Sequence, residues 1–291
     1  MRAVDPSRPV HYEGSVHIAD RVSKESDLHS VMYPSVYEVI EVRNRALIDQ
    51  TRHLKRLERS LDEIGMQMPM SAAALRHIIG EVIRRNRVTN GTVYAQVTRG
   101  AGPRDFAFPS PNVKPSVVVI ARSSKPQQAD ALAAKGIAVV TMQDFRWRRS
   151  DIKSVMLLPA CLAKNAANKA GGREAWLVDD NGFVTEGASS NAWIVARDGA
   201  LITRHLDERI LGGITRATVA DVANSEGIQI IERPFSVEEA RQAREAFITS
   251  ASNTVMPVVQ IDGTRIGAGL PGAITMKLRA VFHNIAETSV I

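Results

Sequence analysis

The second half of this 291-residue chain is cut into short strand-like runs, and that pattern restricts its fold more than any other feature. Residues 136–141, 175–178, 183–184, 191–196, 228–231, 245–250 and 258–261 are rich in apolar or β-branched residues and read as strands. Asp180-Asn181-Gly182 lies between two of them, and Asn-Gly suits the two positive-φ positions of a type I′ turn, so a tight hairpin is expected. Helices are expected over 158–170, 215–224, 237–242 and 273–286, between or after those strands. The half therefore reads as a strand-rich core with peripheral helices.

The first half mixes the two periods. Residues 36–42 and 91–98 alternate as strands do, and 117–121 is an apolar strand. Leu54, Leu57, Leu61 and Ile64 mark a helix over 51–64; Ser71 is a helix N-cap ahead of Leu75, Ile78, Ile79, Val82 and Ile83. The expected fold class is α/β (α+β) in two domains. A small α+β domain covers 1–121, and a larger strand-rich one covers 136–291. The polar, proline-marked stretch from Arg122 supplies a linker over 122–135. No internal repeat is evident.

Composition narrows the partners. Hydrophobic content of 44% and charged content of 23% suit a globular enzyme. The formal charge is 37 − 31 = +6, but the basic residues are scattered, whereas nucleic-acid binding needs a contiguous patch. The densest run, Arg146-Trp147-Arg148-Arg149, stands just before Lys153 and fits small anionic ligands better. The lone Cys161 cannot form an internal disulfide, offers no metal-site spacing, and reads as a buried inert thiol. No apolar run reaches membrane-spanning length and the N-terminus, Met1-Arg2-Ala3-Val4-Asp5-Pro6, lacks a signal-peptide apolar core, so a cytoplasmic protein without membrane contact is expected.

Three segments carry reactive chemistry. Lys153, in Asp151-Ile152-Lys153-Ser154, is either a surface partner of Asp151 or an amine made nucleophilic by the apolar run 155–158. Glu186, in Val184-Thr185-Glu186-Gly187, is either a solvated turn residue or a buried acid able to keep a ring nitrogen protonated. Ile210-Leu211-Gly212-Gly213-Ile214-Thr215-Arg216 opens a helix with glycines, as a flexible entrance or as a cradle for phosphate. Amine, acid and cradle together are what a protein needs to use pyridoxal 5′-phosphate as an electron sink.

With these stand Val36-Tyr37-Glu38-Val39-Ile40, His53-Leu54-Lys55-Arg56-Leu57, Val97-Thr98-Arg99-Gly100 with Pro103-Arg104-Asp105, Arg146-Trp147 and Met256-Pro257-Val258-Val259. Their order and spacing, over about residues 36–285, resemble the fold-type IV (class IV) pyridoxal-phosphate aminotransferases, most nearly those acting on D-amino acids. The resemblance implies a small N-terminal domain, a larger C-terminal pseudo-barrel domain, and a homodimer with shared active sites. It implies that Lys153 bears the Schiff base and shuttles the substrate proton, and that Glu186 pairs with the pyridine nitrogen. Arg56, Ile214 and Thr215 would hold the phosphate, Leu211 would pack on the ring, and Ser189 would buttress its other side. Tyr37 and Arg104 would bind the substrate carboxylate, Arg104 from the partner subunit; read alone, Tyr37 is equally a core residue and Arg104 a loop arginine. The implied substrates are amino donors, D-amino acids foremost, and 2-oxo acids as acceptors.

The chain departs from that pattern in places. Phe106 stands where a histidine is usual, which favours a larger or less polar substrate. Ala251 replaces a phosphate-binding threonine, with Ser250 and Ser252 beside it to compensate. Residues 22–36, including His29 and Tyr33, are longer than usual and rebuild the pocket roof. These changes keep three other readings open: an (R)-selective amine transaminase, an aminodeoxychorismate-lyase-like enzyme, and a degenerate cofactor-binding protein.

Overall fold

The computed structural model describes residues 12–13, 34–100, 106–108 and 113–291. In chain order the first elements are β1 (Tyr12–Glu13), β2 (Ser35–Arg43), β3 (Ala46–Ile48), α1 (Gln50–Glu63), α2 (Ala72–Arg85), β4 (Gly91–Thr98) and β5 (Ser116–Ser123). Next come α3 (Pro126–Ala133), β6 (Ile137–Gln143), α4 (Leu158–Lys169), β7 (Glu174–Val178), β8 (Val184–Gly187), β9 (Asn191–Val195) and β10 (Leu201–Thr203). The chain ends with α5 (Ile214–Ser225), β11 (Ile230–Glu232), α6 (Val237–Gln242), β12 (Glu245–Ser250), β13 (Thr254–Ile261), β14 (Thr264–Arg265), α7 (Ala273–Ile285) and β15 (Thr288–Val290). They form two units that are not contiguous in sequence: residues up to 124 with 152–155 and 288–291, and residues 125–151 with 156–287.

The first unit is a six-stranded antiparallel sheet in the order β1-β5-β4-β2-β3-β15. Period-two alternation puts Val36, Ile40, Val93 and Val97 on one face, against Leu54, Leu57 and Leu61 of α1 and Leu75, Ile79 and Ile83 of α2. Each such side chain is worth about 1.5–3 kcal/mol on burial, so the helical stripes and the sheet face specify one another. The Ser71 hydroxyl accepts from the Ala74 N–H, capping α2 as the sequence anticipates. The opposite face carries Tyr37, Tyr94 and Gln96, all half-buried.

The second unit holds a nine-stranded mixed sheet, β11-β10-β9-β12-β13-β6-β7-β8, with β14 paired to β13. The β10–β11, β13–β6 and β6–β7 pairs are parallel; the other ladders are antiparallel. Trp176 meets Phe235 edge-on at 5.9 Å, and Trp193 stacks on Phe247 at 5.5 Å. These buried rings anchor the centre of the sheet. The result is a mixed α+β architecture with a strand-rich larger unit.

Several local expectations are corrected. The stretch 122–135 is no open linker: β5 runs to Ser123 and α3 starts at Pro126, whose fixed φ suits a first helical turn. The 179–183 hairpin is not type I′, because Gly182 alone of the Asn-Gly pair takes a positive φ, 80°. Asp179 Oδ1 accepts from the N–H groups of Asn181 and Phe183, each at 3.1 Å, and stabilises a longer loop closed by one left-handed glycine. Cys161 is exposed, since it faces outward on α4 while Ala163 and Ala167 turn inward. Met156, Leu157, Leu158 and Leu162 are exposed beside it. Among the described residues, no helix is long and apolar enough to cross a membrane, and no group of three or more His, Cys, Asp or Glu side chains could hold a metal ion.

Candidate active site

In the first unit, Lys153 is held by β2. Its carbonyl accepts from the Tyr37 N–H at 3.0 Å, Val155 donates to the Ser35 carbonyl at 3.0 Å, and Ser154 bridges Val36 in antiparallel fashion. The segment is thus a short extra strand at the start of β2, and the Lys153 N–H lies 3.4 Å from Ser60 Oγ of α1. Lys153 Nζ sits 4.4 Å from the centroid of the Tyr37 ring, which stacks on Tyr94 at 5.3 Å. An aromatic face, rather than the aliphatic run after it, gives this half-buried amine its surroundings. The Tyr94 hydroxyl donates to Gln96 Oε1 at 2.5 Å, and burial pushes that phenol up to about 12. Gln96 continues to Thr98, and Ser35 bonds Thr98 in turn.

Arg56 comes from α1 and is clamped. Its Nε and a terminal nitrogen donate to the two oxygens of Glu38, both at 2.7 Å, and His53 Nδ1 lies 2.7 Å from Glu38 Oε2. Glu38 is fully buried on the helix-facing side of β2. Burial alone would raise its carboxyl, but Arg56 and His53 overcome this and hold it at about 2. The same burial pushes the His53 imidazole below its ordinary value, against the pull of Glu38. A planar fork fixed by two bonds to one carboxylate is a pre-aimed guanidinium.

In the second unit, Glu186 is buried at the end of β8. Arg146 bonds Oε1, the Leu211 N–H reaches the same oxygen at 3.1 Å, and Asn191 Nδ2 donates to Oε2 at 2.9 Å. Burial pushes this carboxyl above its ordinary value, while Arg146 and the Leu211 amide pull it down. Asn191 also donates to the Leu211 carbonyl at 2.8 Å, so it ties β9 to the glycine loop. That closeness requires Gly213: a Cβ there would stand 2.0 Å from Asn191 Oδ1.

After those glycines α5 begins with no side-chain cap and no acid in its first turn. Thr215 is buried in the first turn of that helix. Ile214 is half-buried beside it. The turn between β12 and β13 presents Ser250 and Ser252, hydroxyls 3.4 Å apart, and Asn253 donates to both. Ala251 contributes backbone only. Amides without a side-chain cap, a buried threonine and a serine-rich turn fit a phosphate monoester. A buried carboxylate with donors on both oxygens fits a protonated ring nitrogen.

The Ser189 hydroxyl donates to Glu174 Oε2 at 2.7 Å, where Ser190 and Lys164 also converge. The basic run 146–149, read as an anion site, is largely consumed internally. Arg146 bonds Asp144 and Glu186, and Arg149 bonds Asp151 at 3.0 Å. Phe106 is 93% exposed. Arg104, His29 and Tyr33 lie outside the described residues. Sequence reasoning assigned no role to Glu38, His53, Asp144 or Asn191, and took Arg146 for part of an anion site rather than a partner of Glu186. The alternation of β2 could have flagged Glu38 as an acid pointing into a core; nothing local marks Asp144.

The sequence model of the family described as amino-transferase class IV matches residues 35–261. The chain belongs to the class IV aminotransferases, and is a pyridoxal-phosphate-dependent transaminase. Among its relatives is a D-alanine aminotransferase of Staphylococcus haemolyticus, 37% identical over 92% of this chain and 93% of that one. Another, from Bacillus licheniformis, is 36% identical over 95% and 94%. Among solved structures, the T.th. branched-chain amino acid aminotransferase complexed with N-(5′-phosphopyridoxyl)-L-glutamate is similar at a TM-score of 0.82, with 28% identity over 94% and 92% of the two chains. The branched-chain aminotransferase of Thermoproteus uzoniensis with norvaline gives 0.80, with 25% identity over 96% and 98%.

Proposed function

We propose that this transaminase moves the amino group of a D-amino acid to a 2-oxo acid in a ping-pong cycle. The observation that carries the reading is the match to D-alanine aminotransferases over more than nine-tenths of both chains. Pyridoxal phosphate, when bound, supplies an aldehyde that condenses with amines and a ring that accepts the electron pair of the substrate Cα–H bond. Lys153 Nζ is the amine that would hold the cofactor's aldehyde and would take the proton from the substrate Cα. The Glu186 carboxylate keeps the ring nitrogen protonated. Arg56 binds phosphate as the guanidinium that Glu38 aims, with the amides of Ile214 and Thr215 and the Thr215 hydroxyl. Ser250 and the amide of Ala251 complete that set, and Leu211 packs on the ring. Tyr37 and Arg104 hold the substrate carboxylate, and Phe106 lines the side opposite charge.

A donor panel tests this. D-alanine with 2-oxoglutarate should give pyruvate and glutamate faster than any L-amino acid does. Faster turnover of L-leucine would instead favour the branched-chain reading, which the structural similarity to those enzymes supports. A second reading, an (R)-selective amine transaminase, is favoured by the exposed phenyl of Phe106 in place of a polar donor. It requires (R)-1-phenylethylamine to outpace D-alanine. Pyruvate released from a single substrate without an acceptor would instead mark a lyase.

The assembly proposed is a homodimer, with Arg104 serving the neighbouring copy. Met156, Leu157, Leu158 and Leu162 expose apolar side chains along one short stretch, a surface that soluble chains commonly cover.

A further inference from the structure

Behind Glu186 stands a row of alternating charge that the reaction as described leaves unused. Asp144 accepts from Arg146 Nε at 2.9 Å, from its terminal nitrogen at 2.7 Å and from its backbone N–H at 3.1 Å. It also accepts from the Thr185 hydroxyl at 2.7 Å. The other terminal nitrogen of Arg146 is on Glu186 Oε1, and the guanidinium donates as well to the Arg209 carbonyl at 3.1 Å. All three charged side chains are nine-tenths buried or nearly so, which leaves little solvent to screen them. The remaining neighbours of Glu186, Asn191 and the Leu211 amide, are neutral. Among the described residues, the charge state of Glu186 therefore depends on one bonded cation, and that cation is shared with a second anion.

We propose that Asp144 and Arg146 are positioning residues that set how strongly Glu186 holds the proton it shares with the ring nitrogen of bound pyridoxal phosphate. Arg146 keeps the carboxylate anionic in a dry site. Asp144 takes up part of the guanidinium charge, so that Glu186 is not paired so tightly that it ceases to attract the ring proton. This rests on Glu186 facing the ring nitrogen. It follows that two substitutions displace the Glu186 titration in opposite directions. Arg146→Met removes the cation, and Glu186 takes its proton more readily. Asp144→Asn leaves the guanidinium undivided, and Glu186 takes it less readily. Removing a scaffold contact, by contrast, would loosen the site in the same sense in both variants.

The test is carbon NMR of carboxyl-labelled glutamate in the full-length apo chain, followed by nitrogen NMR of the holoenzyme loaded with ring-labelled pyridoxal phosphate. In Arg146→Met the Glu186 midpoint should rise by about one unit, tenfold in proton affinity, and in Asp144→Asn it should fall. The ring nitrogen should be less fully protonated in Asp144→Asn than in wild type, and Arg146→Lys should restore most of the wild-type midpoint. Displacement of both midpoints in one direction, or of neither, overturns the inference. Where Arg146→Met does not fold, the sign found in Asp144→Asn alone decides. A ring nitrogen that stays protonated in Glu186→Gln would instead overturn the role given to Glu186 itself, whatever the midpoints do.

Discussion

Arg56 shows how much a single buried carboxylate does in this chain. Without Glu38 the guanidinium would be a flexible cation on a helix; with it, two of its nitrogens have a fixed geometry. The arrangement has a pH signature. Glu38 in the folded chain titrates at about 2, below its ordinary 4.5, so its contribution to stability is present above pH 4.5 and is lost as pH falls toward 2. The size is about 3 kcal/mol, from roughly 1.4 kcal/mol per unit. His53 acts in the same sense, because burial keeps it neutral while the unfolded imidazole charges below its ordinary value of 6.5. Glu38→Gln should therefore lower the midpoint of urea unfolding at pH 7 and flatten its dependence between pH 5 and 3. Equal pH slopes for variant and wild type would show that Glu38 is not held by Arg56.

The glycine opening of α5 is the element that most directly joins fold to site. Gly213 lets Asn191 approach, and Asn191 in turn binds both Glu186 and the Leu211 carbonyl. In Gly213→Ala the new methyl meets Asn191 Oδ1, and a buried hydrogen bond worth on the order of 1–3 kcal/mol is broken. Retention of pyridoxal phosphate should weaken on the order of tenfold or more, with helix content by circular dichroism unchanged. Unaltered cofactor affinity in a titration of the apo variant would remove Asn191 from the set. Elements of this kind were largely legible in the sequence. Periodicity and caps gave α1, α2, β4, β12 and α6 nearly residue for residue, because their faces and ends are written locally. The Ser71 cap and the Leu54, Leu57, Leu61 stripe are examples. What could not be read was which polar side chains meet across strands. Asp144 is bridged to Glu186 by Arg146, and Ser189 meets Glu174 across a turn. Exposure also misled: the apolar run after Lys153 suggested burial, yet Met156, Leu157 and Leu158 face outward.

At the scale of the whole molecule, the two units divide the named residues between them. Lys153, Tyr37 and Arg56 belong to the first; Glu186, Thr215 and Ser250 belong to the second. The chain returns to the first unit at 152–155 and again at 288–291, so neither unit is a contiguous segment that a simple truncation would release. If the apolar stretch at 156–162 covers a second copy, light scattering after size exclusion should give twice the 31.8 kDa chain mass. Leu158→Asp with Leu162→Asp should shift that mass toward the monomer and depress turnover. A fully active monomer would refute shared active sites.

The account depends above all on the nitrogen of Lys153. The direct measurement is borohydride reduction of the holoenzyme followed by peptide mapping by mass spectrometry. The account predicts one phosphopyridoxyl group, on Lys153, and no reducible adduct in Lys153→Ala. An adduct on another lysine, or turnover by Lys153→Ala at the wild-type rate, would contradict it.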